Sequence, residues 1–264
     1  MLYDGYSFDS TGIHIWPFKS MGLIRWENVL NVISLRSHCN LITIITFSRK
    51  HNKTEFFSLS RDYVFSYFPF FDNRFFACLK IINDNLPKQI VCLYTRELAS
   101  LTEHKPASNR IEELEHSALN AWLKLHPHKA YTLSQEIMAS DTRNLCALKV
   151  LGLYYCYDKE DYKQAEQIFM QMIDYELYDP LSLKTFIDIK LKLNEDNGLE
   201  FLFEKLRSIL NCPNYLLEFI ILNYYMDHDK AKASQHVKYI KELLASYCNS
   251  FWQQALDNMA SELS

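Results

Sequence analysis

The sequence predicts a two-domain α+β protein, in which an antiparallel β-rich N-terminal domain is followed by an α-helical solenoid. Three observations predict this fold. Segments of alternating or β-branched residues fill the first 60 positions. Apolar residues at helical spacing dominate from position 75 onward. In the C-terminal part, one pattern of small and large residues returns at intervals of 35, 34 and 34. We therefore expect domains at 1–101 and 110–264, with a linker at 102–109.

The predicted strands of the first domain come from period-two alternation bounded by turn residues. They occupy residues 6–8, 13–16, 23–26, 29–35, 41–47 and 55–59. The polar residues 48–54 join the last two strands into a hairpin. Helical spacing over 75–82 then predicts one helix, which residues 83–87 end.

A tryptophan before a short acidic-polar stretch, Trp-Glu-Asn-Val at 26–29, lies within this order of strands and helix. In both respects the N-terminal third resembles a pleckstrin-homology (PH)-like domain, including small bacterial ones. The resemblance implies a docking module, and some members bind phosphoinositides through a basic loop between the first strands. Here that loop has only Lys19, whereas Arg49, Lys50 and Lys53 lie in the later hairpin. This cluster is either an anionic-ligand loop or, as we favour, a solvated hairpin tip.

Eight aromatic side chains crowd residues 63–76. If exposed, they would form an interface or a membrane-inserting surface. If buried, they would pack within the domain or against the helices, which is the interpretation that we favour.

The helical half repeats a template in which one residue, usually small, is followed by others four and seven positions later. These spacings place the three side chains on one helix face. Four segments fit it: Ala130, Ser134 and Ile137; Ala165, Phe169 and Met172; Leu199, Phe203 and Leu206; Ala233, Val237 and Ile240. Two of them depart from the pattern, because Ser134 replaces a large residue and Leu199 a small one.

In the second of these units, Leu148, Leu151, Gly152 and Tyr155 match the W-x-x-L-G-x-x-Y pattern of tetratricopeptide (TPR) repeats, with Leu in place of Trp. Residues 107–264 therefore resemble a TPR array. One inserted residue and a closing proline displaced to Pro180 depart from the family pattern. The resemblance implies stacked helix pairs, and the apolar pattern of residues 249–263 predicts a final capping helix.

The patterns of common catalytic and metal sites do not occur in this sequence. The five glycines are isolated, so there is no phosphate-binding loop, and no H-E-x-x-H or C-x-x-C pattern is present. His126 and His128 would supply two metal ligands without a third, and a polar turn is the favoured interpretation. Nothing near Cys156 in the sequence activates its thiol. We predict no catalytic residue, no metal, no cofactor and no enzymatic activity.

Net charge and cysteine content limit the class of partner and the cellular compartment that we expect for this chain. The net charge is +3 over residues 1–100 and −7 over 101–264, which disfavours nucleic acid as a partner of the helical half. Seven cysteines without paired spacing favour a reducing compartment. The N-terminus lacks a basic start followed by an apolar run, so no secretory signal is expected. We predict a cytoplasmic protein.

The TPR resemblance implies a concave groove lined by the first helix of each pair. Its groove positions in this sequence are Glu115, Leu119, Trp122, Lys149, Leu153, Tyr157, Lys184, Asp188, Glu218, Leu222 and Tyr225. Their mixed chemistry suits a protein or peptide, with Trp122 as an anchor. The leading hypothesis is a protein-interaction module, either an adaptor or a protein that neutralises a toxin or effector. The alternatives are a scaffold recruited to membranes by the PH-like domain and an enzyme of unrecognised type.

Overall fold

The computed structural model of this chain describes residues 5–9, 11–16, 23–37, 40–49, 53–60, 72–100, 107–210, 212–245 and 250–263. Its strands form two three-stranded antiparallel sheets in which each strand pairs with the next. The first sheet contains β1 (Gly5–Asp9), β2 (Gly12–Trp16) and β3 (Leu23–Arg25). The second contains β4 (Val29–Ser37), β5 (Asn40–Arg49) and β6 (Lys53–Ser60). The alternating segments therefore form strands, as predicted.

Two local features connect and shape these sheets. Residues Trp26–Asn28 form a 3-10 turn, closed by a hydrogen bond from the Val29 N–H to the Trp26 carbonyl. The strand predicted over residues 23–26 therefore ends at Arg25, before Trp26. Gly12 has φ 152°, and a Cβ there would lie 2.1 Å from the Ile24 carbonyl oxygen. Only glycine allows β2 and β3 to approach this closely.

The described helices begin with α1 (Asp72–Asn85), which contains the predicted helix, and α2 (Leu93–Ser100), which was not predicted. Eight more form four consecutive pairs: α3 (Arg110–Leu123) with α4 (Pro127–Ser140), α5 (Leu145–Tyr157) with α6 (Tyr162–Asp174), α7 (Pro180–Leu193) with α8 (Leu199–Ile209), and α9 (Tyr215–His228) with α10 (Lys230–Ala245). The last described helix is α11 (Ser250–Ser261). We call α3 to α11 the helical array. Consecutive helices in it pack against each other, and α8 contacts α9 through the rings of Phe203 and Tyr224.

Capping side chains set where the first helix of each pair begins. The side-chain oxygens of Asn109, Asn144, Asp179 and Asn214 each accept a hydrogen bond from a backbone N–H three residues later. Asn214 places the start of α9 at Tyr215. Of the predicted linker, residues 102–106 lie outside the described part of the chain.

The predicted repeat is visible in the burial of the array. All twelve template positions lie on the second helices of the pairs, and the most exposed of them, Val237, is only 7% exposed. Gly152 lies against the ring of Phe169. A Cβ at Gly152 would be only 2.6 Å from that ring. The 34-residue register thus marks the helix faces that form the core of the array.

Candidate binding surface

The eleven predicted groove residues divide into two groups by burial. Five are buried: Trp122, Lys149, Leu153, Glu218 and Leu222. Six are half-buried: Glu115, Leu119, Tyr157, Lys184, Asp188 and Tyr225. The predicted anchor Trp122 is 2% exposed, and its ring lies 6.3 Å from that of Tyr157. The five buried side chains pack inside the protein and are not available to a partner.

The N-terminal part of the chain covers part of the inner face, which is the face that the first helices of the pairs form. Helix α2 packs against α7, and the 3-10 turn Lys88–Ile90 packs against α9. Burial raises the pKa of the Tyr157 phenol, which is hydrogen-bonded to Thr185 of α7 and lies near Tyr94 of α2. Tyr157, a predicted groove residue, therefore lies against another part of the same chain.

Residues 88–100, which we call the bridge segment, connect the sheet to the array through hydrogen bonds. On one side, the Cys92 N–H donates to the Val32 carbonyl at 2.9 Å. On the other, the Asn214 side-chain amide donates to the Val91 carbonyl at 3.1 Å. Because consecutive residues bond to both partners, the bridge segment holds the N-terminal strands against the helices.

The C-terminal helix makes a second connection. The indole N–H of Trp252 donates to the Leu30 carbonyl of β4 at 3.1 Å. Its ring lies 5.8 Å from that of Tyr215 and 5.1 Å from that of Phe219. The predicted capping helix therefore contacts the N-terminal sheet as well as α9.

A buried ionic cluster joins the last two helix pairs. The Glu218 carboxylate is 1% exposed and accepts both from the Arg207 guanidinium and from the His236 ring at 3.2 Å. Burial acts to raise the pKa of Glu218, but hydrogen bonds from His236 and Arg207 and their charges outweigh it and leave that pKa lowered. Glu218 is therefore a structural carboxylate of the array.

A similar ion pair lies one pair of helices earlier. The Lys149 ammonium is 3.0 Å from the Asp179 carboxylate, and both side chains are largely buried. The second oxygen of Asp179 accepts from the backbone N–H of Ser182 at 2.8 Å, which caps α7. Lys149 thus aligns α5 with α7 and is unavailable to a partner.

A cleft of about 590 Å³ lies between α7, α9 and α11. We call it the acidic cleft. Its lining residues are Asp188, Leu191, Asn194, Asp196, Leu216, Phe219, Ile220, Asn223, Tyr224, Asp227, His228 and Met259. Three of them are aspartates and none is lysine or arginine. Of the eleven groove residues predicted from the sequence, Asp188 is the one that lines this cleft.

The charged groups of the cleft differ in burial. Burial raises the pKa of Asp188, against the opposing effect of the Lys184 ammonium that is paired with it. Asp196 and His228 are more exposed and lie 3.3 Å apart, and the His228 ring stacks on Tyr224 at 4.4 Å. The negative charge of the cleft is therefore concentrated at its exposed rim.

Two other predicted features lie outside the described side chains. Arg49 and Lys53 face each other across the β5–β6 hairpin as backbone partners, but their side chains are not described, and Lys50 lies outside the described residues. The aromatic side chains of residues 63–76 also lie outside the described part.

The histidine, cysteine and carboxylate side chains of the described residues are the candidates for metal binding and catalysis. No group of three or more His, Cys, Asp or Glu side chains there could hold a metal ion. His126 and His128 lie at the start of α4, where Pro127 is the first helical residue. Burial raises the pKa of the Cys156 thiol to about 12, which disfavours the nucleophilic thiolate. No described helix is long and apolar enough to cross a membrane.

Comparison of this chain with models of known protein families and with curated proteins gives no match in either case.

Proposed function

We propose that this chain is a non-enzymatic, cytoplasmic protein-interaction module in which a TPR-like array carries a PH-like N-terminal domain. Four helix pairs in a 34-residue register support the TPR-like assignment, with Gly152 at the close helix approach typical of that family's pattern. Six described strands in two antiparallel sheets, followed by α1, support the PH-like assignment.

The observation that carries the proposal is that one part of the array's surface is covered by the chain itself and another part is open. The chain's own bridge segment covers part of the inner face, whereas the acidic cleft beyond it is open to solvent. Helical arrays of this kind bind partners through extended surfaces formed by several repeats. The described titratable groups with shifted pKa values are mainly paired ions and tyrosines, which suit packing better than proton transfer.

Affinity purification of the intact chain from its own cell extract, with quantitative mass spectrometry, tests this function. We expect one protein in near-stoichiometric amount, and its re-formed complex with the purified chain should bury a surface of standard size, roughly 1,200–2,000 Å². Recovery of lipid without protein would support the membrane-scaffold alternative. Recovery of neither would contradict the proposed function.

A further inference from the structure

The floor of the acidic cleft consists of apolar side chains that the fold leaves half-buried: Leu191, Leu216, Phe219, Ile220 and Met259. They come from α7, α9 and α11, and the Trp252 ring of α11 packs against Phe219 of α9. A concave apolar floor on rigid helices gains free energy when another apolar side chain covers it.

The rim of the cleft is acidic, in contrast to its apolar floor. Asp196 follows the end of α7, and Asp227 lies in the last turn of α9; both are exposed. Asp188 lies deeper and is already paired with Lys184. A positively charged partner group would therefore be attracted to the rim, while its apolar neighbour entered the cleft.

We propose that the acidic cleft binds a protein segment in which a lysine or arginine stands next to a large apolar side chain. This inference rests on the proposed interaction function and names the chemistry of the partner. The aspartates would repel an acidic peptide or a nucleic acid phosphate, which leaves a basic, amphipathic segment as the complementary ligand. The basic group lies at Asp196 and Asp227, and the apolar group contacts Phe219 and Ile220.

Selection of random dodecapeptides displayed on phage against the intact chain provides the probe. Enriched peptides are synthesised with a fluorescent label, and their affinities are measured by fluorescence polarisation. The double variant Asp196→Asn/Asp227→Asn removes the rim charge while preserving side-chain shape. The matched control, Asp174→Asn/Glu242→Gln, removes two exposed charges from α6 and α10, away from the cleft.

We expect enriched peptides to pair Lys or Arg with a large apolar residue. Their binding should weaken roughly three- to thirtyfold in the cleft variant, as expected for two partly screened ion pairs, and remain unchanged in the control. Binding to the unaltered chain should also weaken as salt is raised. A third variant, Asn223→Arg, places a positive charge in the cleft and should weaken binding without altering the circular dichroism spectrum.

Three results would overturn the inference. Enriched peptides that lack basic residues would contradict the charge argument, and equal binding to the cleft and control variants would move the site elsewhere on the array. In both cases the proposed interaction function would stand. No enrichment would overturn the inference, and the proposed function would then be decided by the affinity purification alone.

Discussion

Removing the positive charge of Arg207 should destabilise this protein more than removing the negative charge that it faces. The reason is the difference in burial, because the Glu218 side chain is 1% exposed and that of Arg207 is 22% exposed. In Arg207→Met, the buried carboxylate keeps only the His236 ring as a close partner. In Glu218→Gln, the arginine still reaches solvent and pairs with Glu204 at 2.9 Å.

The difference in burial between Glu218 and Arg207 sets the expected loss of unfolding free energy in the two variants. Removing one partner of a buried ion pair costs about 3–5 kcal/mol, and the contact with His236 lowers the expected cost of Arg207→Met to about 2–4 kcal/mol. The amide in Glu218→Gln can still accept a hydrogen bond from the arginine, so its expected cost is about 1–2 kcal/mol.

The deficit of Arg207→Met should depend on pH. The lowered pKa of Glu218 in the folded chain means that its ionised form stabilises the fold above the ordinary carboxyl range, and that this contribution is lost as pH falls through the lowered pKa. Without Arg207, burial is less opposed and the pKa of Glu218 rises. Protonation then removes the buried charge, so the difference from the unaltered chain should shrink as the pH falls into and below the ordinary carboxyl range.

Urea unfolding followed by far-ultraviolet circular dichroism at several pH values measures these free energies. The control is Lys241→Met, which removes an exposed positive charge from α10. If Arg207→Met and the control lost the same free energy of unfolding, the burial of Glu218 would not explain the cost of removing its partner. A larger loss in Glu218→Gln than in Arg207→Met would contradict that explanation as well.

Three further predictions concern packing. Gly152→Ala gains about 1 kcal/mol of helix propensity but places a methyl group against the Phe169 ring, which costs about 1–3 kcal/mol. Urea unfolding should therefore show a net loss of stability. The loss caused by Gly152→Ala should be smaller when it is measured in a chain that already carries Phe169→Leu. Trp252→Phe keeps the ring contacts but loses the hydrogen bond to β4, so the free energy of unfolding, followed by thermal denaturation, should fall by about 1 kcal/mol. Asp179→Ala should cost about 1 kcal/mol more than Lys149→Met in urea, because Asp179 also caps α7; equal losses would show that the cap contributes nothing.

The elements that local pattern determines were predictable from the sequence. Alternation in residues 41–47 specifies a strand face, and the four- and seven-residue spacing from Ala165 to Met172 specifies a helix face. Both segments lie where expected, in β5 and α6. Helix α2 was not predicted because it has only eight residues and depends on contacts with β4 and α7.

The candidate surface was predictable only in part, since it depends on contacts between distant parts of the chain. Spacing identified the face on which Lys149 and Glu218 lie, but it gave no sign of the buried partners that occupy them. The acidic cleft combines Asp188, Asp227 and Met259 from three helices. No local period connects such positions, so the cleft became visible only in the folded chain.

A photo-crosslinking amino acid placed at position 223 would show whether a protein partner occupies the acidic cleft. Asn223 is exposed and lines the acidic cleft, whereas Gln235 is exposed on α10 and is not among the cleft's lining residues. In living cells, we expect a specific crosslinked protein from position 223 and none from position 235, with the crosslinked peptide containing a basic and a large apolar residue. The same crosslinks from both positions, or none from position 223, would contradict this expectation.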